Sequence, residues 1–109
     1  MSAAAMGSGT LQVLATPALI AMMEHTAMQA IGSLTDGQTT VGIKMDMQHL
    51  RPTGIGCDVH VTARLIQTEG RKYTLQIQAT DADGQLIGTA THERFLVDAN
   101  KFMAKIKQQ

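Results

Sequence analysis

Residues 17–34, PALIAMMEHTAMQAIGSL, decide the fold of this chain. Apolar side chains recur there every three or four residues and form one stripe, which predicts an amphipathic helix with most of its surface buried. Pro17 suits the first helical position, and Thr16 before it is predicted to cap the helix. Asp36 and Gly37 predict the end of the helix. The stripe consists of Leu19, Ile20, Met23, Ala27, Ala30, Ile31 and Leu34.

After the helix the hydrophobic period changes to two, which predicts strands. In the first strand Val41, Ile43, Met45 and Met47 alternate with polar residues and glycine, so we assign these four side chains to the core. Asp83-Gly84 predicts a tight hairpin, and the polar tail from residue 101 predicts a short helix or a frayed end. The predicted strands cover residues 41–49, 55–65, 73–79 and 86–97.

One long helix followed by four antiparallel strands predicts a single α+β domain over residues 1–109, with the sheet wrapped on the helix. A sheet of this kind has a free edge, which predicts pairing with a second copy as a homodimer or a dimer of dimers.

Composition excludes several classes of function. Nine basic and nine acidic side chains give a formal net charge of zero, which argues against a nucleic-acid-binding surface. No apolar segment is long enough for a membrane helix, and the start does not resemble a secretory signal, so we expect a cytoplasmic protein. The single cysteine, Cys57, fits a reducing compartment, and we predict that it is a small buried residue on a strand. The histidine and cysteine spacing does not favour a metal site, and we expect no cofactor.

Three residues carry groups that can activate water and protonate a leaving group, namely a hydroxyl, a carboxylate and an imidazole. Thr16 is the hydroxyl, and it is also explained as a helix cap. Glu24 lies among apolar helix residues, where it either reaches solvent or is held by a partner that shifts its pKa. His49 ends the first strand on its core side and is also explained as a buried structural histidine. Residues alone leave these alternatives open.

Several short motifs occur along the chain in a recognisable order. They are Gly7-Ser8-Gly9-Thr10-Leu11, Ala15-Thr16-Pro17-Ala18, Glu24, Val41-Gly42, His49-Leu50-Arg51-Pro52-Thr53, Glu69-Gly70-Arg71-Lys72 and Gly88 to Phe95. In these motifs and their order, residues 7–98 resemble hot-dog-fold thioesterases of the fluoroacetyl-CoA thioesterase type. The resemblance implies a helix wrapped by an antiparallel sheet, dimerised through the sheets, with acyl-CoA sites at the dimer interface.

Carried over by position, Thr16, Glu24 and His49 match the family's catalytic residues. Gly42 matches the glycine whose backbone N–H holds the thioester oxygen, and Arg94 matches an arginine near the site. The implied activity is hydrolysis of a small or medium acyl-CoA to the free acid and CoA. Because Thr16 and Glu24 lie eight residues apart, a straight helix separates them by about 12 Å. We therefore expect either a bend near Pro17 or a site completed by a second subunit.

The chain also departs from the family. Members usually carry about one more strand ahead of the Gly-Ser-Gly segment, so we expect a first strand that is missing or shortened. Fluorine selectivity rests there on aromatic residues near the site, whereas this chain has no Phe before Phe95, so fluoroacetyl specificity is not expected. The alternative function is a non-catalytic acyl-CoA or small-ligand binding protein of the same fold. A hot-dog hydratase is disfavoured because no Asp lies near Thr16-Pro17.

Overall fold

The computed structural model describes residues 15–54 and 57–107. The predicted order of a long helix followed by four strands is confirmed, and the tail forms a short helix, one of the two alternatives predicted for it. The predicted absence or shortening of a first strand falls on residues 1–14, outside the described residues. The elements are α1 (Thr16–Ile31), β1 (Gln38–His49), β2 (Val59–Glu69), β3 (Lys72–Asp81), β4 (Leu86–Asp98) and α2 (Ala99–Lys107).

The four strands form one antiparallel sheet in the order β1-β4-β3-β2. Gly70 and Gly84 have φ of 60° and 81° in the turns between β2 and β3 and between β3 and β4, where a side chain would be strained. The turn between β3 and β4 matches the hairpin predicted at Asp83-Gly84. Within the described residues β1 and β2 are therefore the outer strands of the sheet.

Helix α1 differs from its prediction at both ends. Ala15, not Thr16, is the N-cap, and no side chain caps the helix. Thr16 is already helical, and Pro17 occupies the first turn, where an N–H has no intrahelical partner. The helix ends before Gly32, whose φ of 84° breaks the helical path, so the predicted extension to Leu34 is wrong.

The core lies between α1 and the inner face of the sheet. Gly88 lets the helix approach β4 closely, because a Cβ there would lie 3.0 Å from Leu19 Cδ2 and 3.3 Å from Met23 Cε. The absence of a side chain at Gly88 therefore lets Leu19 and Met23 of the helix pack closely on β4. The fully buried cluster consists of Leu19, Met23, Ala27, Leu75, Ile77, Ala79, Ile87 and Ala90.

A β-bulge changes which side chains of β1 face the helix. The register with β4 shifts between Gly42 and Lys44, so Ile43 is an extra residue. Ile43 is 51% exposed and Thr40 is buried, which contradicts the predicted core role of Val41 and Ile43. After the bulge Met45 and Met47 do pack against the core, as predicted. In a regular strand, even- and odd-numbered residues would point to opposite faces. Because of the bulge, Gly42 lies on the same face as Met45 and Met47.

Two smaller predictions are also corrected. Strand β2 begins at Val59, and Cys57 lies before it as an exposed free cysteine, so its predicted burial on a strand is wrong.

Among residues 15–54 and 57–107, no helix has the length and apolar character needed to cross a membrane.

Replacing Gly88 by Ala should lower the free energy of unfolding by about 1–3 kcal/mol, because the new Cβ crowds Leu19 and the Gln48 carbonyl. Urea unfolding followed by circular dichroism measures the change. Gly54→Ala is the matched control, since its Cβ would meet only Cys57 Sγ at an ordinary 3.5 Å. Equal midpoints for the two variants would contradict the close packing of α1 on β4.

Candidate active site

The first half of the candidate site joins the start of α1 to the end of β1. Thr16 Oγ1 lies 2.8 Å from His49 Nδ1, which is a hydrogen bond between two residues 33 positions apart. His49 is half-buried, and its Nε2 is buried without a hydrogen-bond partner among the described residues. The Thr16 hydroxyl therefore orients the imidazole, and Nε2 has a free hydrogen-bonding function. The capping role predicted for Thr16 is replaced by this bond.

The second half lies where α1 crosses the bulge of β1. A Cβ built on Gly42 would lie 3.6 Å from Glu24 Oε2, 3.5 Å from Arg94 Nη1 and 3.2 Å from His92 Cε1. Glu24 is half-buried, so it is neither a solvated edge residue nor fully enclosed. Three of the residues predicted for the site, Glu24, Gly42 and Arg94, are thus brought together. Glycine at position 42 leaves space that any side chain would fill.

Arg94 is a buried cation held by the edge strand. It is 6% exposed, its Nε donates to Thr40 Oγ1 at 2.8 Å, and its Nη2 donates to the Thr40 carbonyl at 2.8 Å. Burial lowers the pKa of Arg94, and the nearby negative charge of Glu24 acts in the opposite direction. The guanidinium remains charged at neutral pH because its unperturbed pKa is so high. Glu24 therefore faces a fixed positive charge at the base of the site.

His92 completes this network, although it was not among the residues predicted for the site. Its Nδ1 lies 2.7 Å from the Lys44 carbonyl and its Nε2 lies 3.2 Å from Arg94 Nη1. Since a carbonyl only accepts and a guanidinium only donates, the ring must carry its proton on Nδ1 and accept at Nε2. His92 thus fixes the bulge carbonyl and one guanidinium nitrogen at once. Its position two residues from Arg94 was the only sequence feature that could have indicated a role at the site. No sequence feature indicated such a role for Thr40.

The two halves are far apart within one protomer. Helix α1 is continuous from Thr16 to Ile31, so Thr16 and Glu24 are separated by about 12 Å along its axis. Gly42 and His49 are seven residues apart on β1, or about 20 Å in extended chain. The predicted bend near Pro17 does not occur. One protomer therefore presents an oriented histidine and a carboxylate at separate places.

The remaining histidines do not join either half. His25 and His60 are exposed, and His25 Nε2 is 3.3 Å from Gln29 Nε2 on the same helix. Within the described part of the chain, no three histidine, cysteine or carboxylate side chains are grouped as a metal site would require.

Known proteins are similar to this chain in sequence and in fold. A family model described as fluoroacetyl-CoA-specific thioesterase matches residues 1–100. The chain belongs to this family. The fluoroacetyl-CoA thioesterase of Streptantibioticus cattleyicolor is 33% identical over 99 residues, covering 90% of this chain and 70% of that enzyme. The resemblance to fluoroacetyl-CoA thioesterases is thus confirmed, and so is the prediction that the protein is a thioester hydrolase.

Solved structures of relatives confirm the hot-dog fold. The structure of the fluoroacetyl-CoA thioesterase FlK superposes with a TM-score of 0.86 at 32% identity, covering 94% of this chain and 76% of that chain. A thioesterase superfamily member from Thermus thermophilus gives 0.85 at 27% identity, with 91% and 73% covered. A hot-dog-like protein from Thermanaerovibrio acidaminovorans gives 0.82 at 25% identity, with 89% and 72% covered.

Replacing Thr40 by Val should lower the free energy of unfolding by about 1–3 kcal/mol, because the buried Arg94 Nε–H loses its acceptor at Thr40 Oγ1. Urea unfolding measures the change. Thr39→Val is the matched control, since its side chain points to the opposite face of the same strand. If Thr40→Val unfolds at the wild-type urea concentration, the guanidinium does not depend on this hydroxyl.

Proposed function

We propose that this thioesterase hydrolyses small or medium acyl-CoA thioesters to the free acid and CoA at a site shared by two subunits. The observation that carries the proposal is the separation of Thr16–His49 from Glu24–Gly42 within one chain. The substrate class is supported by relatives, because a variant of FlK was solved with fluoroacetate and CoA and another with acetyl-CoA. Residue correspondence with the family supports the assigned roles.

Dimerisation through β1 supplies the missing proximity. Strand β1 pairs with β4 on one side and is an outer strand of the described sheet, so its other side can pair with a second copy. In an antiparallel pair about a two-fold axis near the middle of β1, the Gly42 end of one strand faces the His49 end of the other. Such a pair, alone or as a dimer of dimers, joins the two half-sites across the interface.

The chemistry follows from these positions. Glu24 either activates a water that attacks the thioester carbonyl, or attacks it directly to form an acyl-enzyme anhydride that a water then hydrolyses to the free acid. In both routes the Gly42 N–H stabilises the carbonyl oxygen as it gains negative charge. When the C–S bond breaks, His49 of the partner subunit protonates or stabilises the departing CoA thiolate. The partner's Thr16 keeps that imidazole oriented. The guanidinium of Arg94 and the carboxylate of Glu24 both lie beside Gly42, so a positive charge is present where the thioester carbonyl would be held.

We propose that the acyl group is a small or medium one and not specifically fluoroacetyl. The only two phenylalanines of the chain are Phe95 and Phe102, and both lie far along the sequence from Thr16 and Glu24. Fluorine selectivity is therefore not part of the proposal. We also propose a cytoplasmic location. The given sequence has a single cysteine, which cannot form an internal disulfide, and proteins of a reducing compartment ordinarily lack disulfides.

A thiol-release assay over a panel of acyl-CoA thioesters should show turnover by the wild type, with Glu24→Gln and His49→Ala lowering kcat by about 100-fold or more. His60→Ala is the control, because that histidine is exposed on β2. Equal rates for all four proteins would show that the assigned roles are wrong. Binding of acyl-CoA without turnover by the wild type would favour the non-catalytic alternative.

Mixing the two inactive variants tests the shared site directly. If Glu24 and His49 act across the interface, a mixed dimer of Glu24→Gln and His49→Ala keeps one site in which both residues are wild type. Random exchange makes about half of the dimers mixed, so about one quarter of the wild-type activity should return. Mass spectrometry of differently tagged subunits verifies exchange. No recovery after verified exchange, or full specific activity in a verified monomer, would place the site within one chain.

A further inference from the structure

Helix α2 carries an apolar stripe that the described part of the chain leaves largely uncovered. Phe102, Met103 and Ile106 have the spacing that places side chains on one side of a helix. No residue of α2 is buried, and Met103 and Ile106 are 50% and 44% exposed. Because a helix this short is marginally stable by itself, an open apolar stripe on it indicates a binding surface.

Lysines border the stripe on both sides. At about 100° per residue, Lys105 lies next to Phe102 around the helix axis, and Lys107 lies next to Met103 on the opposite border. Lys101 is four residues before Lys105 and shares its border. Helix α2 contains no acidic residue. The aliphatic stems of these lysines can therefore lie along apolar material while their ammonium groups bind anions at its surface.

Helix α2 lies at the face of the sheet opposite α1, which we call the outer face. A cleft between α2 and β4 is lined by Phe95, Phe102 and Lys105. Phe95 follows Arg94, whose side chain is directed toward Glu24 and α1, so Phe95 is directed to the outer face. The stripe and the outer face are therefore on the same side of the molecule.

Positive charge is concentrated on this side. Lys44, Arg64 and Lys72 point to the outer face, because each is next in sequence to a core-facing residue of its strand. Arg71 lines the cleft beside α2. With the three lysines of α2, these are seven of the nine basic residues of the chain. The strands and the start of α2 place only four of the nine acidic residues there, namely Asp46, Glu69, Glu93 and Asp98. The side that carries α2 is therefore positive in a chain with no net charge.

We propose that α2 binds the surface of an anionic lipid bilayer, with Met103 and Ile106 inserted between the headgroups and Lys101, Lys105 and Lys107 on the lipid phosphates. Anionic lipids are concentrated in the cytoplasmic leaflet of membranes, which agrees with the proposed cytoplasmic location. Because α1 lies on the opposite face, the candidate active site stays open to solvent when α2 is bound.

The dimer proposed above would strengthen this contact. Antiparallel pairing of two β1 strands relates the subunits by a two-fold axis perpendicular to the sheet, so both outer faces point in the same direction. The α2 helices of both subunits then meet one bilayer, and two weak contacts act as a bivalent one. Only this reinforcement rests on the proposed function, whereas the stripe and its lysines belong to each chain.

Two other occupants fit the surface less well. A nucleic acid would satisfy the lysines, but its phosphate backbone has no use for exposed Met103 and Ile106 side chains. A second copy of α2 would cover the stripe, but it would bring three lysines against the three already there. With no acidic residue in the helix to pair with them, this repulsion disfavours self-association through α2.

Vesicle flotation of the full chain measures the binding directly. The wild type should float with vesicles of equal parts phosphatidylcholine and phosphatidylserine, and it should stay in solution with phosphatidylcholine alone. Raising the salt concentration from about 0.1 M to about 0.5 M should weaken flotation, because salt screens the attraction between the lysines and the headgroups.

Variants of α2 separate the apolar and the charged contributions. Met103→Gln/Ile106→Gln should weaken binding about tenfold or more, and Lys105→Ala about fivefold. The matched controls are Met28→Gln, at a methionine that is 47% exposed on α1, and Arg51→Ala, at an exposed cation in the loop after β1. Both controls should bind like the wild type. Since these side chains are not buried, circular dichroism should show the same fold for every variant.

The outcomes separate a lipid surface from the other occupants and from the proposed function. Equal flotation on neutral and anionic vesicles, or flotation unchanged by Met103→Gln/Ile106→Gln, would overturn the inference. A smaller assembly of this variant than of the wild type, in gel filtration without vesicles, would also overturn it and assign the stripe to a second copy of the chain. Absence of thioester turnover by a wild type that still floats would overturn the proposed function and retain the lipid-binding surface.

Discussion

The site depends on one buried cation. Arg94 is held by Thr40 on the neighbouring strand and by His92 on its own, and these bonds satisfy a charge that burial would otherwise make costly. The same guanidinium forms the base of the space over Gly42 and attracts Glu24 from the helix. Helix, edge strand and central strand therefore meet around a single group.

The bulge in β1 makes that meeting possible. A regular strand would put Gly42 and Met45 on opposite faces, because successive side chains alternate. The extra residue, Ile43, restores both to the helix side, and the carbonyl of Lys44 beside it is bound by His92. The irregularity is thus stabilised by the same network that holds Arg94. The two hydrogen bonds of His92 therefore stabilise both the backbone of the bulge and the buried charge of Arg94.

Hydrophobic periodicity predicted the helix and the four strands because it is local in sequence. It misplaced Val41 and Ile43, since the apolar alternation from Val41 to Met47 continues through the bulge without a break. Family resemblance predicted Glu24, Gly42 and Arg94, and the structure brings these three together. Thr40 and His92 could not be predicted, because their roles arise from pairing between strands about fifty residues apart.

The unsatisfied Nε2 of His49 has a thermodynamic consequence. A buried nitrogen without a partner among the described residues is a local loss of stability, which any group that later bonds to it recovers. A second subunit or a bound thioester that reaches this atom is therefore favoured by the energy left unrealised in the isolated fold. Under the proposed function, subunit association, ligand occupancy and thermal resistance would be linked through one imidazole nitrogen.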